Sequence, residues 1–129
     1  MSVHHGIIPG LQYADAPAAI DWLQRAYGFK RQLVVPDGDG AIAQTQLVFD
    51  GNMIMLGSVR VPDVYGRKIP AEAGSVTMTV SGTLDDPEAH HARALAAGAE
   101  IISPVKDVEY WGRSYCRLDC GGHVWTFDS

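Results

Sequence analysis

The sequence predicts an α+β fold: two βαβββ modules forming a curved mixed sheet around a cleft, with the helices outside. Three observations carry this expectation. Residues 15–28 read as a helix with both ends marked, from Asp15 to Gly28. The same signals return 70 positions later, where Asp85, Pro87, Ala89, Ala96 and Gly98 answer Asp15, Pro17, Ala19, Ala26 and Gly28. Each helix is preceded by one strand-like segment and followed by three. Neither module carries enough apolar surface to cover itself alone.

Taken in order, Gly6 to Ala14 reads as the first strand, and Pro9 argues for an edge or an irregular start because it cannot donate to a ladder. In the first helix, the Asp15 carboxylate can accept from a free N–H of the first turn. Pro17 fits that turn at no cost in hydrogen bonding. Ala19, Trp22, Leu23, Ala26 and Tyr27 line one face at helical spacing, and Gly28 suits the left-handed closing residue. Phe29 to Val35 is a second strand, and Pro36 to Gly40 a turn by composition. In Ala41 to Asp50, Ile42, Gln44, Gln46 and Val48 alternate with Ala43, Thr45, Leu47 and Phe49, the pattern of a strand with two unlike faces. Asp50-Gly51-Asn52 is a tight hairpin signal, and Met53 to Leu56 completes the module. The second module repeats the order: strand 75–81, a helix capped by Asp85 or Asp86 and closed by Gly98, then strands 100–105, 113–119 and 123–127. The whole of 1–129 reads as one domain, with module 1 at about 5–57, module 2 at about 74–128 and an aperiodic segment 58–73 between them. That segment serves as a connector or as a flap over a pocket, since long structureless loops in compact domains are often lids.

Length and charge bound the function. The chain has 129 residues, with 10 Lys and Arg against 15 Asp and Glu, a formal charge of −5. A mildly acidic chain with no basic cluster lacks the field that draws nucleic acid or an anionic membrane. No apolar run approaches the ~20 residues a membrane span needs, and residues 1–20 do not read as a signal peptide. A cytoplasmic location is the expectation. Cys116 and Cys120 are too few for a disulfide framework and read as lone buried thiols.

The duplicated order resembles the vicinal-oxygen-chelate superfamily: glyoxalase I, bleomycin-resistance proteins and extradiol dioxygenases. Ala18-Ala19-Ile20-Asp21-Trp22-Leu23 followed by Tyr27-Gly28-Phe29 is similar to the PhnB-like branch. So are Met53-Ile54-Met55-Leu56-Gly57, Ala96-Ala97-Gly98-Ala99-Glu100 and Gly122-His123-Val124-Trp125-Thr126-Phe127. Metal-dependent members of that superfamily draw four ligands from the first and last strands of the modules. Such a cation needs imidazole or carboxylate donors. The resemblance puts the four slots near Ile8, on Met55, within 75–81 and on Thr126, and none offers a convincing donor. His5 and His123 lie close by but read as exposed or structural, and His90 and His91 as solvated on the second helix. The expectation is therefore no metal and no cofactor.

The cleft itself is then the functional feature. Ile8, Gln44, Gln46, Met53, Met55, Thr77, Arg113, Tyr115 and Thr126 are candidate wall residues. Methionine supplies an adaptable apolar wall and glutamine supplies amide donors and acceptors. Tyr110-Trp111-Gly112-Arg113 offers aromatics for stacking and a guanidinium for an anion. Gln44, Gln46, Met53, Met55, Tyr110, Trp111, Arg113 and Thr126 are the selected ligand-binding set, with Trp22 and Trp125 assigned to the core. No Ser-His-Asp constellation or phosphate-binding glycine loop is evident. The leading reading is a metal-independent protein that sequesters a small molecule such as a drug or metabolite, as a homodimer. The alternatives are a superfamily enzyme (a lyase, isomerase or dioxygenase) with a displaced metal site or loop-borne acid/base groups, for which His5, Glu100 and Glu109 would need to approach the cleft, and an interaction subunit with a filled cleft.

Overall fold

In the computed structural model, residues 6–59, 78–108 and 112–129 are described. Module 1 comprises β1 (Gly10–Tyr13), α1 (Ala16–Tyr27), β2 (Lys30–Pro36), β3 (Ile42–Phe49) and β4 (Asn52–Ser58). Module 2 comprises β5 (Thr79–Thr83), α2 (Pro87–Ala96), β6 (Glu100–Val108), β7 (Gly112–Leu118) and β8 (Val124–Asp128). Each module makes a four-stranded mixed sheet, in the orders β1-β4-β3-β2 and β5-β8-β7-β6. The first strand runs parallel to the last in both sheets, and the other pairs are antiparallel. The duplication is therefore real at the level of topology, and the two sheets do not close onto one another.

Local chemistry explains the helices. The Asp15 carboxylate accepts from the Ala18 N–H at 3.1 Å, and Asp86 does the same for Ala89 at 3.1 Å. The true N-caps thus lie 71 positions apart, one more than the sequence repeat. Pro17 consequently sits one step deeper in α1 than Pro87 does in α2. Gly28 closes α1 at φ +85°, a conformation in which a Cβ would be strained.

Strand parity decides what is buried. Leu11, Tyr13, Leu47, Ile54 and Leu56 of the first sheet face α1, and Tyr115, Trp125 and Phe127 of the second join the same core. Tyr27, at the end of α1, packs its ring against both Trp125 and Phe127. The helix-side faces of both sheets thus share one core, and α1 and α2 pack on each other within it. Trp22 and Trp125 are core residues, as the parity implied. The opposite face of each sheet points away from this core. Leu23, Tyr27 and the other apolar side chains buried here each contribute roughly 1.5–3 kcal/mol by leaving water.

Two polar devices cross the core. Asp119, whose side chain is fully buried, accepts from Tyr13 Oη at 2.5 Å and Trp125 Nε1 at 2.9 Å. Its second oxygen accepts from the backbone N–H groups of Gly121 and His123. Burial alone would raise this carboxyl, but hydrogen bonds from His123, Tyr13 and Trp125 hold it below the usual carboxylate range. His90, read from sequence as solvated, is instead half-buried among the rings of Tyr27, Phe49, Tyr115 and Phe127. Its Nε2–H donates to the Tyr27 carbonyl at 3.0 Å, which leaves Nδ1 to accept from Tyr115 Oη. Burial pushes this imidazole down to about 4, so it is neutral at pH 7. Of the two thiols, Cys116 is half-buried and Cys120 exposed, which corrects the expectation of two buried cysteines.

Candidate functional site

The free face of the first sheet carries Gln12, Ile42, Gln44, Gln46, Met53 and Met55, because these residues pair across β1, β4 and β3 at matching parity. Four of the residues expected at the cleft are thus brought together. Gln46 stands directly opposite Met55, and the Gln44 amide lies 3.9 Å from the Met55 sulfur. Gln46 Oε1 is held at 2.9 Å by the Gln32 amide, which fixes its orientation. Gln12 Oε1 is buried without a hydrogen-bond partner. Met53 is buried, and Met55, Gln44 and Gln46 are half-buried.

Thr126 lies on the free face of the second sheet. Its hydroxyl pairs with Ser81 Oγ at 2.6 Å, and Ser114 Oγ donates to Asp128 Oδ1 at 2.6 Å. These four residues line a cavity of about 310 Å³. Sequence reasoning found Thr126 and missed Ser81, Ser114 and Asp128. The signal for Asp128 was present, since it shares strand parity with Thr126.

The remaining candidates lie elsewhere. Arg113 is on the helix-side face, where it pairs with Glu88 at 2.5 Å and Asp107 at 3.3 Å. Tyr115 is 1% exposed and belongs to the core rather than to a cleft wall. Ile8 precedes β1. Tyr110, Trp111, Thr77, His5, Glu109 and all but the first two residues of the 58–73 segment are outside the described residues.

Of the slots that the resemblance implied, Ile8 precedes β1 and carries no donor atom, Met55 offers a thioether, and Ser81 stands opposite Thr126 in the second sheet. This set offers a thioether and two neutral hydroxyls but no imidazole or carboxylate, and so does not fit a divalent metal. Among the described residues, no group of three or more His, Cys, Asp or Glu side chains could hold one. His123 is turned toward Asp119 at 3.3 Å and packs against the Tyr13 ring at a tilt, away from both free faces. No helix among the described residues is long and apolar enough to cross a membrane.

A family model described as Glyoxalase/Bleomycin resistance protein/Dioxygenase superfamily matches residues 3–127. An uncharacterized protein of Mycobacterium bovis is 32% identical over 129 residues, covering 98% of this chain and 84% of that protein. The crystal structure of TioX from Micromonospora sp. ML1 superposes with a TM-score of 0.75 at 31% identity, over 96% of this chain and 97% of that one. TnmS3, an antibiotic binding protein from Streptomyces sp. CB03234, matches with a TM-score of 0.69 at 22% identity, over 99% and 97% of the two chains. The last of these likenesses speaks to the fold alone.

Proposed function

We propose, from the premise that this chain belongs to the glyoxalase/bleomycin resistance protein/dioxygenase superfamily, that it is a metal-independent protein that binds and sequesters a small molecule. The observation that carries this reading is the donor set of the two free faces. Glutamine amides and thioethers line one, and hydroxyls with a carboxylate line the other. Such a mixture suits a partly apolar ligand with a few polar groups, whereas a Lewis-acid centre needs several imidazole or carboxylate donors together, and this set holds the single carboxylate of Asp128. The family description, which includes bleomycin resistance proteins, supports a drug-like ligand.

The free faces of one chain point away from its shared core, so a cleft enclosed by both kinds of face requires a second copy. We therefore assign a homodimer, in which the sheet carrying Gln44 and Gln46 of one protomer meets the sheet carrying Thr126 of its partner. The motifs around Trp22 and in 122–127 favour the PhnB-like branch, and the two free thiols favour the cytoplasm.

The test is a thermal-shift screen of a drug and metabolite library on chelator-treated protein, with metal content measured on the untreated sample. A stabilising compound is expected whose shift is unchanged by chelator and reduced in Gln46→Ala and Thr126→Val. Stoichiometric bound transition metal, or ligand stabilisation that vanishes with chelator, would overturn the proposal.

A further inference from the structure

The two modules meet along a seam with two ends, and the ends are not equally filled. At one end, Tyr13 sits two residues before the capping Asp15, and its ring is sealed beneath the five-residue turn 119–123. Gly121 lies so close to the Tyr13 ring that a Cβ there would collide with it, and the His123 ring packs against it at a tilt, its centroid 4.6 Å away. At the other end, the residue two before the capping Asp86 is Leu84, and the covering hairpin has only Asp50 and Gly51. A shorter side chain beneath a turn three residues shorter leaves a cleft of about 580 Å³.

The walls of this cleft define what it can hold. Phe49, Leu84 and the neutral His90 supply an apolar, partly aromatic floor. Asp50, Asp85 and Asp86 stand at the rim against Lys30. Asp86 is engaged as the helix cap, and its bond to the Ala89 N–H takes up a first-turn donor of α2 that an anion would otherwise seek. Asp50 and Asp85 add negative charge beside a surface suited to a ring. The cleft shares no residue with the Gln44–Met55 or Ser81–Thr126 clusters, although its Val48 stands opposite Met53 at the margin of the first.

We propose that this seam cleft is a second binding site, and that it takes a small arylalkylammonium ion: ring on Phe49 and Leu84, cation toward Asp50 and Asp85. At the sealed end, the Tyr13 ring and its bond to the buried Asp119 do from within the chain what such a ligand does here from outside.

The experiment is a backbone-amide NMR titration of the full chain with phenethylamine, and with phenylacetate as the charge-reversed control. Saturable shifts at Gly51, Leu84 and Asp85 are expected from phenethylamine and not from phenylacetate. Asp50→Asn and Asp85→Asn should each weaken binding about threefold, the scale of a solvent-exposed charge pair. Leu84→Tyr, which copies the sealed end, should abolish it; if that variant misfolds, the two Asn variants decide. Equal binding of phenylacetate, or no saturable seam shift at millimolar phenethylamine, would overturn the proposal. So would shifts confined to Gln44, Gln46 and Thr126, an outcome that would leave the cleft reading of the free faces intact.

Discussion

The two helices occupy equivalent places in equivalent modules, yet they hold the molecule together by different means. Of twelve residues in α1, seven are buried, among them Trp22, Leu23 and Tyr27. Of ten residues in α2, only Pro87 and Ala94 are. The second helix instead reaches out with polar groups. Arg93 donates to the carbonyls of Arg25 and Gln24 at 2.7 and 2.9 Å, covering the C-terminal end of α1 where a cation is favoured. His90 ties α2 to Tyr27 and Tyr115. Duplicated topology therefore does not impose duplicated energetics. One helix anchors the core by burial, and the other is fastened onto it by hydrogen bonds.

Four measurements sharpen or break that contrast, and the largest effect belongs to α1. Leu23→Ala removes a fully buried side chain and should cost about 3–4 kcal/mol by chemical denaturation. Leu95→Ala in α2, where the side chain is 49% exposed, should cost less than about 0.5 kcal/mol. Comparable losses would mean that the helices contribute alike.

Next comes the hub that joins the modules. Asp119→Ala strands the Tyr13 hydroxyl and the Trp125 indole N–H in the core and should cost about 3 kcal/mol. A loss within experimental error would show that these donors find other partners.

The third effect depends on pH and belongs to α2. The folded His90 imidazole titrates at about 4 against an ordinary 6.5, so the unfolded chain binds the extra proton between those values. Stability should therefore fall as pH drops from 6.5 toward 4, by about 1–2 kcal/mol after allowance for the partial exposure of the ring. His90→Gln should flatten that part of the profile in a series of melting curves. An unchanged slope would remove His90 as its cause.

The smallest effect compares the helix ends. Gly28→Ala places a Cβ at positive φ and 3.3 Å from the Arg93 guanidinium, and should cost about 1 kcal/mol. Ala97→Gly, at an ordinary right-handed cap, should cost a few tenths. Equal costs would erase the distinction between the two caps.

Much of the fold was legible because it rests on local rules. The Asp15 cap, the closing Gly28, the alternation in Ile42–Phe49 and the Asp50-Gly51 turn each act within a few residues of themselves. Strand parity likewise brought Gln44, Gln46, Met53 and Met55 onto one face before any contact was known. Arg113 and Tyr115 were assigned to a cleft wall although they share parity with the buried Arg117. Nothing local in 113–119 says which parity faces the helices. His90 looked solvated because α2 has little apolar periodicity, and its burial is imposed by rings from both modules.

What the chain determined by itself was its elements, their order and the two-module plan, since caps, turns and period-two alternation are short-range physics. Only tertiary packing decided which sheet faces meet, that Asp119 would collect donors from Tyr13 and Trp125, and that one end of the seam would seal while the other stayed open. Those outcomes depend on segments distant in the chain coming together, as Tyr13 and Asp119 do across 106 positions, and no local pattern encodes such a meeting.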